Sequence, residues 1–181
     1  PEVQYMKKHL ASFAPIAKFR FESSEDLGVC KPWHFEKNIG GVWLDWAPNA
    51  LSVLRQIISP TELSSFEIKN IEFSSCFDMA IETRANIELT INNIPGELLI
   101  DWEADENIFV AISTFWDESG VKIELDHATN QMYVNGEMVY QGIDTRYRDV
   151  YNELINRITS ASSNISDADF ETKLICEVFS Q

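Results

Sequence analysis

Carboxylates, thiols and histidines are the side chains of this 181-residue chain that could do chemistry. Asp101 and Glu103 lie two residues apart on one face of a predicted strand, and two nearby carboxyl groups can catalyse hydrolysis. Cys30 and His34 are spaced as a nucleophile pair or half a zinc site. Isolated pairs of this kind arise by chance in an acidic protein. The sequence therefore favours a protein without catalysis and leaves a hydrolase as the lesser alternative.

Motifs for nucleotide and metal chemistry are absent from the sequence. It contains no G-x-x-x-x-G-K-[ST] loop, no G-x-G-x-x-G turn, no G-x-S-x-G elbow and no H-E-x-x-H pair. The histidines His9, His34 and His127 have no second ligand pair at zinc-site spacing. We therefore predict no cofactor and no metal.

Negative charge is concentrated in one part of the chain. There are 29 acidic residues against 14 Lys and Arg, a net charge of −15, which disfavours binding to nucleic acid or an anionic membrane. Residues 96–126 alone contain nine acids and a single base, Lys122. Carboxylates fixed on a sheet can pair with Lys or Arg of a basic partner, so we expect a protein partner with a basic surface.

Tryptophans lie beside several of these acids. Tryptophan is enriched among interface residues that contribute most to binding, so acids next to it are candidate contacts. The alternative is that the tryptophans belong to the core and the acids only keep the protein in solution. The predicted partner-binding residues are Asp45, Trp46, Asp101, Trp102, Glu103, Asp105, Glu106, Asp117 and Glu118.

The first third of the chain is predicted to contain two helices and a strand. Apolar residues at helical spacing predict a helix over residues 2–13, and alternation predicts a strand over residues 18–22. Residues 42–46, Val-Trp-Leu-Asp-Trp, are interpreted as a short strand or an aromatic-rich loop. Pro48 is then expected in the first turn of a helix with an apolar stripe formed by Leu51, Leu54, Ile57 and Ile58.

Alternating apolar residues dominate the chain from residue 66 to residue 140. A phase change predicts a bulge or turn near Asn70, residues 77–82 alternate as a strand, and residues 108–116 are interpreted as a central strand covered on both faces. Asn135-Gly136 predicts a type I′ turn between residues 131–134 and 137–140. These spacings predict an antiparallel meander.

Two helices are predicted to close the chain. One has an apolar stripe over residues 147–158, and the other begins at a capping box formed by Ser166 and Asp169. The predicted fold is thus α+β: an antiparallel β meander covered by an N-terminal helix, one central helix and two C-terminal helices. We expect residues 1–181 to form a single domain.

The expected environment is a reducing cytoplasm. Cys30, Cys76 and Cys176 are an odd and widely spaced set, so they cannot all pair within the chain. No apolar run is long enough to span a membrane, and residues 1–10 lack an apolar signal core. A monomer is expected rather than a dimer.

In general character the chain resembles the small acidic immunity proteins of bacterial polymorphic and contact-dependent toxin systems. The resemblance lies in the absence of catalytic motifs and in tryptophans interleaved with acids, as in Val42-Trp43-Leu44-Asp45-Trp46 and Ile100-Asp101-Trp102-Glu103. It implies a protein that binds and neutralises one cognate toxin domain through an acidic, aromatic-containing surface. Type III secretion chaperones, which bind an extended effector segment, resemble the chain in acidity and are the alternative.

Overall fold

The computed structural model describes most of the chain. The residues it describes are 1–26, 40–58, 65–75, 81–105, 108–145, 148, 151–152, 155–156, 159 and 165–180. The helices, strands and contacts given below are those of this part of the chain.

The centre of the fold is one mixed sheet of eight strands in the order β2-β3-β4-β1-β5-β6-β7-β8. Its strands are β1 (Ile16–Glu25), β2 (Phe66–Ser74), β3 (Arg84–Ile91), β4 (Ile94–Asp101), β5 (Phe109–Asp117), β6 (Lys122–Asp126), β7 (Gln131–Val134) and β8 (Glu137–Gln141).

The predicted antiparallel meander is wrong because β1 separates it into two parts. β1 lies between β4 and β5, parallel to β4 and antiparallel to β5. Phe19 is thereby placed opposite Gly96 on one side and Phe115 on the other. Alternation along β1 reports which side chains are buried, but it carries no information on which distant strands are its neighbours.

Three helices have defined bounds: α1 (Glu2–His9), α2 (Val42–Ile58) and α3 (Ile165–Ser180). A short 3₁₀ helix, Leu10–Ser12, follows α1, and the two together cover most of the helix predicted over residues 2–13. The interpretation of residues 42–46 as strand or loop is wrong, because they form the first turns of α2. Pro48 consequently lies inside α2 instead of in its first turn.

The C-terminal part is described only partly. Residues 148, 151, 152, 155, 156 and 159 are helical, whereas most of the apolar stripe predicted over residues 147–158 lies outside the described residues. The same holds for residues 77–80 of the predicted strand 77–82 and for the side chain of Ser166 in the predicted capping box. In α3, Phe170, Leu174 and Val178 recur at helical spacing and are buried.

Local signals in the β region are confirmed. The pairing of β2 with β3 shifts register between Ile68 and Asn70, where the bulge was predicted. Asn135 and Gly136 both have positive φ, 50° and 83°, as a type I′ turn requires, and they join β7 to β8.

The described helices cover one face of the sheet. Phe19 and Phe21 of β1 and Leu98 of β4 point to this face and are buried, together with Leu51 and Leu54 of α2. Burial of one such side chain contributes about 1.5–3 kcal/mol, so this layer is the main source of stability. The opposite face carries both charged side chains, such as Arg20 and Glu22, and apolar ones, such as Leu99 and Ile112. None of the described helices is long and apolar enough to cross a membrane.

Candidate functional site

We call the end of the sheet where β1 and β4 terminate the carboxyl edge. β6 ends there too, and β3 and β5 begin there. The register shows the alignment: Glu22 of β1 is opposite Leu99 of β4 and Ile112 of β5, and Ile112 is opposite Asp126 of β6. The carboxyl ends of parallel strands are where ligands bind in open sheets. The carboxyl edge is therefore the first place to examine for a functional site.

The amino-terminal end of α2 lies at the carboxyl edge, anchored by Glu82. The backbone N–H of Val42 donates to the carbonyl oxygen of Glu82 at 3.1 Å, and the N–H of Trp43 donates to Oε1 of its carboxylate at 3.3 Å. Burial raises the pKa of the Glu82 carboxyl, and the backbone hydrogen bonds offset this only in part. This residue places the first turns of α2, which carry Asp45 and Trp46, against the sheet.

Aromatic side chains form an apolar surface next to these turns. The ring of Trp46 lies 6.2 Å from that of Phe21 and 5.9 Å from that of Phe109, centroid to centroid. Phe109 is 46% exposed, and its neighbour Ile108 is exposed as well. The buried indole N–H of Trp46 has no hydrogen-bond partner among the described residues. The surface could therefore contact an apolar ring face and, after a small rearrangement, donate one hydrogen bond.

A cluster of charged residues occupies the β3–β4 side of the edge. The guanidinium of Arg84 lies 3.0 Å from Oδ2 of Asp101 and 3.1 Å from Oε2 of Glu103. Oε1 of Glu103 also accepts the Thr83 hydroxyl at 2.5 Å. These two acids are thus held by a cation on the neighbouring strand, so they do not form a free row of carboxylates.

A serine, a histidine and a glutamate are hydrogen-bonded in series on the β5–β6 side. Nε2 of His127 is 2.8 Å from Oγ of Ser113, and Nδ1 is 2.6 Å from Oε1 of Glu2 in α1. Burial alone would raise the pKa of Glu2, but the hydrogen bond with His127, a hydrogen bond from its own backbone N–H and nearby positive charge together outweigh burial, so the net shift is downward. Ser113 is fully buried, which excludes it as an accessible nucleophile in this conformation. The series holds α1 on the sheet.

The sequence-predicted binding residues do not form one surface. Asp45, Trp46, Asp101, Glu103 and Asp105 lie at the carboxyl edge, and Trp102 is next to them but fully buried in the core. Glu106 is outside the described residues.

Asp117 and Glu118 lie at the opposite end of the sheet. Asp117 is the last residue of β5 and Glu118 follows it, about 27 Å from the carboxyl edge by strand geometry. The Asp117 carboxylate accepts hydrogen bonds from the N–H and hydroxyl of Ser119, from the N–H of Val121 and from the N–H of Ala14. The Ser119 hydroxyl is the largest reason why its pKa lies below the ordinary value. Asp117 therefore stabilises a turn.

Three residues of the edge were missed by sequence reasoning: Glu82, Phe109 and Arg84. Residues 77–82 were interpreted as one alternating strand, which hid the role of Glu82 at the start of a helix 40 residues earlier in the chain. Phe109 was assigned to a strand covered on both faces. Arg84 was missed because the charges were counted over residues 96–126. Arg84 lies outside that range, although its partner Asp101 lies inside it.

The described residues contain no group of three or more His, Cys, Asp or Glu that could hold a metal ion. Cys30 and His34 lie outside the described residues, as does Cys76, while Cys176 is a free, exposed thiol.

Solved structures of oxidoreductases share this fold. D-galactose-1-dehydrogenase from Rhizobium etli has a TM-score of 0.74 at 17% identity, over 95% of this chain and 54% of that chain. UDP-N-acetylglucosamine 3-dehydrogenase from Acidithiobacillus ferrooxidans has a TM-score of 0.72 at 13% identity, over 99% and 56%. A 3-ketoreductase mutant from Actinomadura kijaniata, in complex with TDP-benzene and NADP, has a TM-score of 0.76 at 13% identity, over 98% and 57%.

The chain thus spans little more than half the length of the structures that it matches. No family model matches the sequence, and no curated protein matches it. At these identities the likeness establishes the fold.

This fold overturns the functional interpretation of the sequence. The chain is not an immunity protein or a secretion chaperone by fold, because the structures it matches are dehydrogenases and ketoreductases. The prediction of a non-enzymatic toxin inhibitor is wrong for the same reason, since the solved structures that share the fold are named as enzymes. The expectations of a basic protein partner, of no nucleic-acid or membrane partner and of a monomer stay predictions.

Proposed function

We propose that this chain is the substrate-facing domain of an oxidoreductase that acts on a hydroxyl or keto group of a sugar or polyol. The observation that carries the proposal is the likeness of nearly the whole chain to a domain of D-galactose-1-dehydrogenase and of other carbohydrate oxidoreductases. The Ser113–His127–Glu2 series favours no competing activity, since its serine is buried.

The dinucleotide cofactor of such a reaction is expected to bind outside this sheet. A dinucleotide-binding domain has a mostly parallel sheet and a G-x-G-x-x-G turn at the first strand. Here β1 and β4 are the single parallel pair in the described sheet, and the sequence lacks that motif. Another domain or another chain is therefore proposed to supply the cofactor. The matched structures are nearly twice as long as this chain, which leaves room in them for such a domain.

The carboxyl edge offers the groups that a sugar or polyol needs. The exposed ring of Phe109, with Trp46 behind it, can pack against the C–H face of a sugar ring. The carboxylate of Asp45, one residue from Trp46 in the first turns of α2, can accept hydrogen bonds from hydroxyl groups. A bound nicotinamide would supply hydride transfer. The residues of this chain would bind the substrate, orient its reacting carbon and exclude water.

We also propose a cytoplasmic location. It is supported by the odd number of cysteines and by the exposed free thiol of Cys176, which suit a reducing compartment.

The proposal is tested by measuring ligand binding to the purified full chain. Titration calorimetry with D-galactose and with myo-inositol should detect millimolar or tighter binding of at least one of them. Phe109→Ala should weaken that binding at least about fivefold, because it removes the exposed aromatic contact.

Phe179→Ala is the matched control. Phe179 is 47% exposed, nearly the same as Phe109, but it packs on Phe73 of β2. β2 lies about 19 Å from the strand of Phe109, four strand spacings across the sheet. Phe179→Ala should leave binding unchanged. Absence of binding by both compounds, or equal losses in both variants, would refute the proposal.

A further inference from the structure

The amino-terminal end of α2 would ordinarily attract an anion. Unpaired backbone N–H groups and the helix dipole make the start of a helix a binding place for phosphate groups. α2 is 17 residues long and starts at the carboxyl edge, where a substrate is proposed to bind. The charge already present at this helix end therefore affects which substrates the edge accepts.

Glu82 fills this place with a carboxylate of the chain itself. Its carbonyl and carboxylate oxygens accept the N–H groups of Val42 and Trp43, so two donors that a phosphate would use are occupied. Gly41 makes the approach possible: a Cβ atom added there would lie 2.2 Å from Oε1 of Glu82. The carboxylate thus rests against the backbone at the start of the helix, partly withdrawn from water.

Other residues of the edge add negative charge. Asp45 lies in the first turns of α2 and Asp105 follows β4, while Asp101 and Glu103 share the single guanidinium of Arg84 and keep one net negative charge between them. Arg84 does not leave its positive charge available to a ligand, because both Asp101 and Glu103 bind its guanidinium. A substrate carrying phosphate would therefore meet like charges and a helix end whose donors are already occupied.

We propose that Glu82 determines substrate specificity at this site: it closes the start of α2 to phosphate groups, so the edge takes uncharged hydroxyl or keto compounds. The inference rests on the proposed function and narrows it. The inference predicts an uncharged substrate, like the D-galactose in the name of one matched oxidoreductase. It predicts that this chain does not take nucleoside-diphosphate compounds, such as those that the other two matched oxidoreductases are named for or crystallised with.

Inorganic pyrophosphate is the probe for this inference, since its binding does not depend on a redox partner. Calorimetry with the full chain should detect no binding below about 10 mM for the wild type. Glu82→Gln removes the negative charge, and an anion can displace its neutral amide from the Trp43 N–H, so the variant should bind pyrophosphate at least about tenfold more tightly than the wild type. Glu118→Gln makes the same charge change at the opposite end of the sheet and should have no effect.

Sugar phosphate provides a second measurement that does not depend on the folding of a variant. The wild type should bind D-galactose at least about tenfold more tightly than D-galactose 1-phosphate. Equal binding of the two sugars, or strong pyrophosphate binding by the wild type, would overturn the inference while leaving the proposed function intact. A folded Glu82→Gln that gains no pyrophosphate binding would also overturn it. Failure of both sugars to bind, with the pyrophosphate gain present, would instead refute the proposed function.

Discussion

Nδ1 of His127 lies 2.6 Å from Oε1 of Glu2, and this contact joins α1 to the end of β6 across 125 residues of sequence. A carboxylate can only accept hydrogen bonds, so Nδ1 carries a proton and donates the hydrogen bond to Glu2. The imidazole ring also stacks on Phe21 at 6.3 Å, and Phe21 in turn contacts Trp46. The position of α1 is thereby linked to the aromatic surface at the carboxyl edge.

Loss of the Glu2 carboxylate should destabilise the protein in a pH-dependent manner. We expect Glu2→Gln to lower the free energy of unfolding at pH 7 by about 1.5–3 kcal/mol, since it removes a buried hydrogen bond to a charged group. The folded pKa of Glu2 lies below the ordinary value of 4.5. Its stabilisation is therefore complete above pH 4.5 and is lost as the pH falls through the lower folded pKa.

Urea unfolding between pH 2.5 and pH 7 checks this expectation. The wild type should lose stability below pH 4.5 more steeply than Glu2→Gln does. Glu137→Gln, an exposed carboxylate on β8, is the control and should follow the wild type. Parallel curves for the wild type and Glu2→Gln would show that the carboxylate does not stabilise the fold.

Asp117 and Glu118 are adjacent acids with opposite expected behaviour. Asp117→Asn should lower the melting temperature at pH 7, because the Asp117 carboxylate accepts four hydrogen bonds that hold the turn after β5 and the chain at Ala14. Glu118→Gln should leave it unchanged, since the Glu118 side chain is exposed.

The stabilisation by Asp117 has a pH dependence of the same sign as that of Glu2. The pKa of Asp117 is lowered from 3.8, so its stabilisation is present above that value and disappears as the pH falls through the folded pKa. Scanning calorimetry at pH 3 and pH 7 should show a smaller difference between Asp117→Asn and the wild type at the lower pH. An equal difference at both values would contradict the assigned role.

Features fixed by neighbouring residues could be predicted from the sequence. The Asn135-Gly136 turn depends on two residues that tolerate positive φ, and the bulge near Asn70 follows from a phase change in the apolar alternation. The inner face of α2 follows from the spacing of Leu51, Leu54 and Ile57. Each of these depends on contacts over a few residues, which a pattern in the sequence records directly.

Features that depend on distant residues could not be predicted. The insertion of β1 between β4 and β5 is a choice among strands with the same alternation. Residues 42–46 favour a strand by their aromatic content, but Glu82 anchors them as the start of a helix. The acids near Trp102 were interpreted as free because Arg84, which binds Asp101 and Glu103, belongs to another strand.

Gly41 should be sensitive to substitution through Glu82. Gly41 has a φ of +104°, and Gly120 has a φ of +85° with nothing within 4 Å of an added Cβ. Gly120→Ala should cost about 1–2 kcal/mol from the backbone conformation alone. Gly41→Ala should cost about 0.5–1.5 kcal/mol more, because its methyl group displaces the carboxylate that accepts the Trp43 N–H.

A double-mutant cycle isolates the contact between Gly41 and Glu82. In a Glu82→Ala background the additional cost of Gly41→Ala should disappear, leaving it equal to that of Gly120→Ala. Chemical denaturation of the four proteins of the cycle provides the free energies. If the additional cost persists without the Glu82 carboxylate, its origin is the backbone of Gly41, and Glu82 does not occupy the start of α2 as described.

Phe21 and Phe109 both contact the ring of Trp46 and should differ sharply in their contribution to stability. Phe21 is almost fully buried, so Phe21→Ala should cost about 3–5 kcal/mol. Phe109 is half-exposed, and Phe109→Ala should cost less than about 1.5 kcal/mol, the value of one aromatic contact. Urea unfolding of the two variants decides this. A cost for Phe109 as large as that for Phe21 would make Phe109 a core residue, and its ring would no longer be available to a substrate at the carboxyl edge.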